Sequence, residues 1–330
     1  MPSLTEPNQI GKREDLADIY SIVDTKSTPF TTRVNKSSKL TNSKFEWLVD
    51  EYADPVNSGV VDGQDVSTYE NHAENRARLG NYAQEWRRTA KVSRRSEDIS
   101  TVAGVKSEIA LATRKKLVEI KRDTESTLLA GNDGQADTGA APYLTIGLDL
   151  WIDTTGPTAP ASVPAAYRPA SAQIETTATA SLTETHVQNV LASIFDTTGM
   201  TGEYVLFAGS TLRRAFTDFT RTGVLANSNK YRVFNFDGKS KTVTSSTTVF
   251  EGDYGTVEIV SSNFIGGSAA TSAQRGSRGY LLDMDKIHLR SEQRPTVERF
   301  PDLGGGPRVL VSYIGGLQVD NPIGLGKFKP

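Results

Sequence analysis

The stretch that decides the fold is residues 102–131, VAGVKSEIALATRKKLVEIKRDTESTLLAG. Its apolar positions recur every three to five residues, which predicts one long helix with a narrow apolar stripe. The stripe is formed by Val102, Val105, Ile109, Ala112, Leu117, Ile120, Thr124 and Leu128. At 1.5 Å per residue, about 29 helical residues span roughly 43 Å, more than the width of a small domain. The helix therefore needs partner surfaces.

The other faces of this helix are charged. The spacing predicts two ion pairs, Lys115–Glu119 and Lys121–Glu125, each contributing only about 0.3 kcal/mol. Gly131 is a candidate for a left-handed residue that ends the helix.

Composition excludes several classes of site and of protein. The chain has 330 residues, a formal charge of -2 and no cysteine, so disulfides, zinc fingers, iron–sulfur clusters and thiol catalysis are excluded. The near-neutral charge gives no general attraction to nucleic acid or to anionic membranes. No apolar run approaches about 18 residues, and the N-terminus lacks an apolar signal region. These features predict a soluble protein made in a cytoplasm.

The first hundred residues predict a loose arm followed by a projecting hairpin. A short helix is expected at 13–24 within the arm. Residues 44–52 and 81–93 then alternate apolar and polar side chains, as strands do. The polar stretch between them predicts a mobile tip. Because a two-stranded ribbon alone is only marginally stable in water, its aromatic face needs a partner surface. Trp47 and Trp86 are expected to meet across the ribbon or to pack against a neighbouring subunit, although packing on the subunit's own sheet is the alternative.

The remainder predicts an α+β fold. Residues 131–182 are rich in Thr, Ala, Pro and Gly, and only 144–152 has the pattern of an anchored segment. From Thr183 the patterns indicate a helix that stops near Gly199, a strand at 203–208 and a helix from Ser210. Further strands are expected within 231–236, 247–260, 279–290 and 308–319. Helices and strands mix without a regular βαβ order, which is typical of α+β proteins.

No motif points to catalysis, a metal or a cofactor. His72, His186 and His288 are far apart in unlike contexts. Gly326-Lys327 is not followed by Ser or Thr at a helix start, so it does not fit a phosphate-binding loop, and both this segment and Gly304–Gly306 are interpreted as turns. We therefore predict a protein without catalytic, cofactor-binding or metal-ligating residues.

The order of the motifs resembles that of the major capsid proteins of tailed bacteriophages. The similar segments are REDLADIYSIVDTKSTPF, KFEWLVDEY, NYAQEWRRTAKVS, KRDTESTLLAG, YGTVEIV, GYLLDMDKIHLR and SYIGGLQVDNPIGLG. These proteins share the Johnson fold with the capsid floor of herpesviruses. The resemblance spans nearly the whole chain and is weakest in the Thr/Ala/Pro-rich insertion.

The resemblance implies a division of the chain into segments. These are an N-arm (1–43), an extended β-hairpin loop (44–93), a peripheral domain with the spine helix and the insertion (94–182), an axial domain (183–265) and a return to the peripheral domain (266–330). It also implies a structural protein, not an enzyme, that assembles as hexamers and pentamers into an icosahedral shell around double-stranded DNA.

Implied partners are other copies of the chain, a separate scaffolding protein, a portal, and packaged DNA held by non-specific contact, but no membrane. The implied location is the virion capsid, assembled in the host cytoplasm. Because the chain starts almost directly with its arm, a separate scaffold is expected, and the alternative is a scaffolding segment that was already removed. Candidate inter-subunit contacts lie on the extended loop, at Phe45, Trp47, Tyr69, Tyr82, Trp86, Arg87 and Arg88.

Some members of this superfamily join subunits through a lysine in the extended loop. Here residues 53–78 contain no lysine, so we expect a shell without covalent crosslinks. Two other interpretations stay open at the level of sequence. One is a tail-tube or decoration subunit, which would also lack catalytic motifs but would not need the long helix. The other is a hydrolase with a scattered site.

Overall fold

The computed structural model describes residues 27–99, 107–219 and 248–330. The helix predicted at 13–24, the start of the helix predicted from residue 102 and the strand predicted at 231–236 lie outside these described residues. The described helices are α1 (Pro29–Arg33), α2 (Arg94–Ile99), α3 (Glu108–Leu128), α4 (Leu148–Trp151), α5 (Glu184–Thr198), α6 (Ser210–Phe219) and α7 (Ser272–Ser277). Short 3₁₀ turns lie between them. No helix among the described residues has both the length and the apolar character needed to cross a membrane.

The strands form three sheets in the described part of the chain. The strands are β1 (Asn35–Lys36), β2 (Lys44–Val49), β3 (Ala77–Tyr82), β4 (Gln84–Lys91), β5 (Ile174–Glu175), β6 (Gly202–Ala208), β7 (Val249–Gly252), β8 (Gly255–Ser261), β9 (Gly279–Leu282), β10 (Ile287–Phe300), β11 (Arg308–Val319) and β12 (Gly326–Phe328). Their orders are β1-β10-β11-β4, β5-β12-β9-β6-β8-β7 and β2-β3. Parallel and antiparallel pairs mix in one sheet, since β6 runs parallel to β8 and antiparallel to β9. The predicted α+β class is confirmed.

Most of the C-terminal half follows the predicted pattern. The helix predicted from Thr183 is α5, and it ends at Gly199, whose φ of 66° is the left-handed conformation that glycine adopts at low cost. The segments predicted as strands at 203–208 and 308–319 are β6 and β11. The apolar face of α5 is buried in a cluster with β6, β8 and α6.

The chain divides into two compact units, neither of which is one continuous segment. Among the described residues, the first comprises 27, 87–99, 107–120 and 295–312. The second comprises 28–86, 121–219, 248–294 and 313–330, and it contains an apolar cluster that includes Phe30, Leu128 and Tyr280. The five segments inferred from the resemblance follow different boundaries, and they stay a prediction.

Burial along α3 is uneven. None of its residues from 108 to 119 is buried, whereas Ile120, Thr124, Glu125 and Leu128 are. The apolar stripe predicted from the sequence is therefore buried only near the C-terminal end of the helix. The helix ends at Leu128, and Gly131 is not among the glycines with positive φ, so the predicted left-handed cap at Gly131 is wrong.

The predicted surface pair Lys121–Glu125 is also wrong. Lys121 is exposed, while Glu125 is fully buried and accepts hydrogen bonds from the backbone of α1. On the same helix the ion pair that forms near Glu119 is with Lys116, at 2.7 Å, and not with Lys115.

The extended loop is a hairpin, but its second strand was predicted at the wrong place. β2 pairs with β3, with Trp47 opposite Leu79 and Phe45 opposite Asn81. The segment predicted as its partner, 81–93, contains β4, which lies at the edge of the four-stranded sheet. Buried Ala83 separates β3 from β4, and its amide donates to the carbonyl of Ser43.

The segment around Lys327 is a strand and not the predicted turn. β12 lies between β5 and β9 in the six-stranded sheet. Lys327 is fully buried, and its ammonium donates to the Asp149 carbonyl at 2.9 Å and to the Asp153 carboxylate at 2.8 Å. Burial opposes ionisation of Asp153, but the hydrogen bonds from Lys327 and Thr155, together with the charge of Lys327, outweigh it and lower the pKa of Asp153 to about 2. The predicted turn at Gly304–Gly306 is confirmed, since Gly304 and Gly306 both have positive φ.

Candidate inter-subunit surface

The base of the extended loop is packed within the subunit. Phe45 is buried and stacks on Trp47 at 5.9 Å between ring centroids, and the Arg290 guanidinium lies over the Phe45 ring at 5.5 Å from its centroid. The Trp47 indole N–H donates to the Val319 carbonyl at 3.0 Å, and its ring lies against Trp151. Most of the surface of these two rings is therefore used inside the subunit.

Trp86 is packed in the same way. It is 6% exposed and stacks on Tyr313 with ring centroids 5.4 Å apart, and its indole N–H donates to the Thr127 hydroxyl at 3.2 Å. Tyr82 is half-buried against Tyr143. The expectation that Trp47 and Trp86 meet each other is wrong, because each has its own aromatic partner, and the alternative of internal packing is what the structure shows.

The tip of the loop, residues 50–72, is different in kind. Every residue in this range is exposed. Six of its exposed side chains are large and apolar, namely Tyr52, Val56, Val60, Val61, Val66 and Tyr69. Structureless loops of this length are uncommon in compact domains and are usually functional. An apolar set of this size in one loop is typical of a surface that another molecule covers.

The tip carries charge of a single sign. Its carboxylate residues are Asp50, Glu51, Asp54, Asp62, Asp65 and Glu70, and it contains no lysine or arginine. This combination of valines, tyrosines and carboxylates suits a partner surface that is both apolar and basic.

Few bonds hold the two ends of the tip to the rest of the subunit. The Arg76 guanidinium pairs with the Asp50 carboxylate at 3.0 Å across the hairpin. The Tyr167 hydroxyl donates to the Asn75 carbonyl. Burial, together with Glu51 and Asp50, raises the pKa of Tyr167, so this donor keeps its proton at neutral pH. Within the tip, the Gln64 amide donates to the Val61 carbonyl and closes a local turn.

The predicted contact residues thus fall into two groups. Phe45, Trp47 and Trp86 are used mainly inside the subunit, with Tyr82 between the groups. Tyr69, Arg87 and Arg88 are exposed and stay predicted contacts. Sequence reasoning missed the four valines of the tip, because isolated valines in a polar stretch have no strand or helix period. Their only signal is their number within one short segment.

The described residues contain no group of three or more His, Asp or Glu side chains placed to hold a metal ion. A small cavity near Tyr204 and Asp283 has a volume of about 20 Å³, space for one water molecule. Among the described residues, the feature suited to binding a partner is the exposed tip at 50–72.

A family model described as SU10 major capsid protein matches residues 4–330 of the chain. The structure is similar to a chain of the cyanophage A-1(L) capsid asymmetric unit, with a TM-score of 0.64, 15% identity, and 99% of each chain covered. It is also similar to a chain from Gordonia phage Cozz, with a TM-score of 0.61, 12% identity, and 99% of this chain and 98% of that chain covered.

A third similar structure is the holo-SrpI encapsulin complex from Synechococcus elongatus PCC 7942, with a TM-score of 0.54, 11% identity, and 99% of this chain and 96% of that chain covered. At these identities the likeness shows a common fold. No curated protein matches the chain in sequence.

Proposed function

The chain belongs to the SU10 major capsid protein family and is a structural capsid protein of an icosahedral shell, and we propose that its extended loop holds that shell together. Copies of the chain associate as hexamers and pentamers. In each contact the tip at 50–72 of one subunit lies on the surface of a neighbouring subunit.

One observation carries this proposal. The tip exposes six large apolar side chains, whereas Phe45 and Leu79 on the strands at its base are buried. Burying one valine side chain stabilises a contact by about 1.5–3 kcal/mol. Four valines would together contribute about 6–12 kcal/mol per tip, which offsets part of the entropy cost of ordering the loop.

The charges of the tip indicate which surface it meets. A tip with six carboxylate residues and no basic residue favours a basic neighbour surface. Arg87 and Arg88 are exposed basic residues beyond the hairpin, and we propose them as part of that surface. Exposed pairs of this kind contribute more to orientation and partner choice than to affinity.

The remaining partners follow from the family. We propose a separate scaffolding protein, a portal, and packaged double-stranded DNA held by non-specific contact, with assembly in the host cytoplasm. We also propose that the protein has no catalytic activity. Membership of a major capsid family argues against the tail-tube and decoration alternatives.

The test compares two pairs of exposed valines. Val60→Ser with Val61→Ser changes the tip, and Val249→Ser with Val297→Ser is the matched control on strands β7 and β10. Both variants should keep the parental unfolding midpoint in circular dichroism. The tip variant should need at least about tenfold more protein to form particles, because about 1.4 kcal/mol corresponds to that factor. A tip variant that assembles like the parent, or no worse than the control, would overturn the proposal.

A further inference from the structure

Glu125 makes an unusual contact with α1, a short helix within the predicted N-arm. α1 begins at Pro29, and Thr28 before it makes no side-chain capping bond. The Glu125 carboxylate caps the start of the helix instead, although it lies 95 residues further along the chain. Its Oε1 accepts from the Phe30 amide at 2.9 Å, and its Oε2 accepts from the Thr31 amide at 2.7 Å. Unsatisfied amides at the start of a helix need such acceptors.

The segment attached in this way is held at further points. We call residues 28–36 the strap. Phe30 is fully buried, edge-on to Phe207 at 5.6 Å. The Arg33 guanidinium forms two bonds with the Glu258 carboxylate, at 2.6 and 2.7 Å. β1 then pairs in parallel with the start of β10. Glu125 secures the first turn of α1, and the other contacts secure the rest of the strap.

The environment of Glu125 opposes its charge. The residue is 0% exposed. Burial raises its pKa, and the hydrogen bonds from Thr31 and Phe30 lower it but do not cancel the effect of burial. The charged residues nearest to it along α1 and α3 are Arg33, Lys121, Arg122 and Asp123, and Arg33 is itself paired with Glu258 of β8.

We propose that the strap is a proton-sensitive attachment, held more firmly through Glu125 in mildly acidic solution than at neutral pH. When the first turn of α1 opens, Glu125 meets water and regains its ordinary affinity for protons. When the turn closes, a charged Glu125 is buried, whereas a protonated one is buried at a lower cost. Above the raised pKa of Glu125 the attachment therefore carries the cost of a buried charge.

The direction follows from linkage. The pKa of Glu125 is higher in the attached strap than its ordinary value of 4.5, so protons favour attachment. The attachment weakens as pH rises from about 4.5 through the raised value, and it is weakest above it. If the pKa of Glu125 differs by one between the attached and the detached strap, the attachment equilibrium changes about tenfold. Glu258 titrates below this range, because the hydrogen bond from Arg33 lowers its pKa.

The experiment is hydrogen exchange with mass spectrometry on the full chain at about pH 5, 6 and 7.5, corrected for the intrinsic exchange rate at each pH. Peptides covering 28–36 report on the strap, and peptides from β6 serve as the reference. We expect several-fold more protection of the strap at the lowest pH. Glu125→Gln should remove this dependence. Glu258→Gln, the matched control, should loosen the strap at every pH but keep the dependence.

A flat parental profile in the strap would overturn the proposal whether or not the variants fold. So would a Glu125→Gln protein that keeps the parental dependence, since another group would then be titrating. Should Glu125→Gln fail to fold, the side-chain carboxyl carbon of Glu125 can be followed by NMR in the parent. A titration at the ordinary value would contradict the proposal, and one clearly above it would support it.

Discussion

The two ends of the extended loop use the same kinds of residue for opposite purposes. Phe45 at its base and Trp86 just beyond it on β4 are both 6% exposed and stack on other rings of the same subunit. At its tip, Tyr52 and Tyr69 are 99% and 90% exposed. The base therefore contributes to the stability of the folded subunit, and the tip is left for a partner. A change at the base should affect unfolding, while a change at the tip should affect assembly.

The largest difference should come from the aromatic residues. Trp86→Ala removes a buried ring and the donor to the Thr127 hydroxyl, so we expect the subunit to lose about 3–5 kcal/mol of unfolding free energy. Tyr69→Ala should change it by less than about 0.5 kcal/mol. Denaturant unfolding followed by circular dichroism measures both. The proposed difference between base and tip would be contradicted if Trp86→Ala unfolds like the parent. It would also be contradicted if Tyr69→Ala loses as much stability as Trp86→Ala.

A smaller difference is expected between two asparagines. Asn81 at the base is fully buried, and its amide donates to the Leu317 carbonyl at 2.6 Å and accepts from the Ile146 amide at 2.8 Å. Asn81→Ala leaves these groups without partners and should cost about 1–3 kcal/mol. Asn71→Ala is the matched change at the exposed tip and should be close to neutral in the same unfolding measurement. Equal losses would show that the tip is also part of the folded core.

The last prediction concerns covalent crosslinks between subunits, and we expect none. Because the tip contains no lysine, assembled shells should return a single band near 35.8 kDa after boiling in detergent. A ladder of heavier bands that resists boiling and reductant would show that the subunits are joined covalently. In that case the apolar side chains of the tip would not be what holds neighbours together.

Elements with a strong local period were predictable from the sequence. The apolar face of α5 and the apolar runs of β6 and β11 are set by neighbouring residues, and all three elements were predicted close to their observed bounds. β3 was missed because Gly80 and Asn81 are poor strand formers. Both residues fit this strand because of contacts with residues far away in the sequence. A side chain at Gly80 would lie 3.0 Å from Pro160, and Asn81 bonds to backbone 65 and 236 residues away.

The buried charges were missed for the same physical reason. Glu125 and Lys327 resemble ordinary surface residues in the sequence, because a charge is expected to stay in water unless a partner compensates for it. Their partners lie 95 and 174 residues away. The tip posed the opposite problem, since its polar residues indicated exposure correctly but hid the apolar set among them.

The most direct test of the central claim is the accessibility of the tip tyrosines before and after assembly. Tyrosine labelling with mass spectrometry should modify Tyr52 and Tyr69 readily in the unassembled subunit, while fully buried Tyr280 serves as the unlabelled reference. In purified shells the account predicts strong protection of Tyr69, with Tyr280 unchanged. Equal labelling of Tyr52 and Tyr69 in shells and in free subunits would contradict the claim that this loop builds the contacts between subunits.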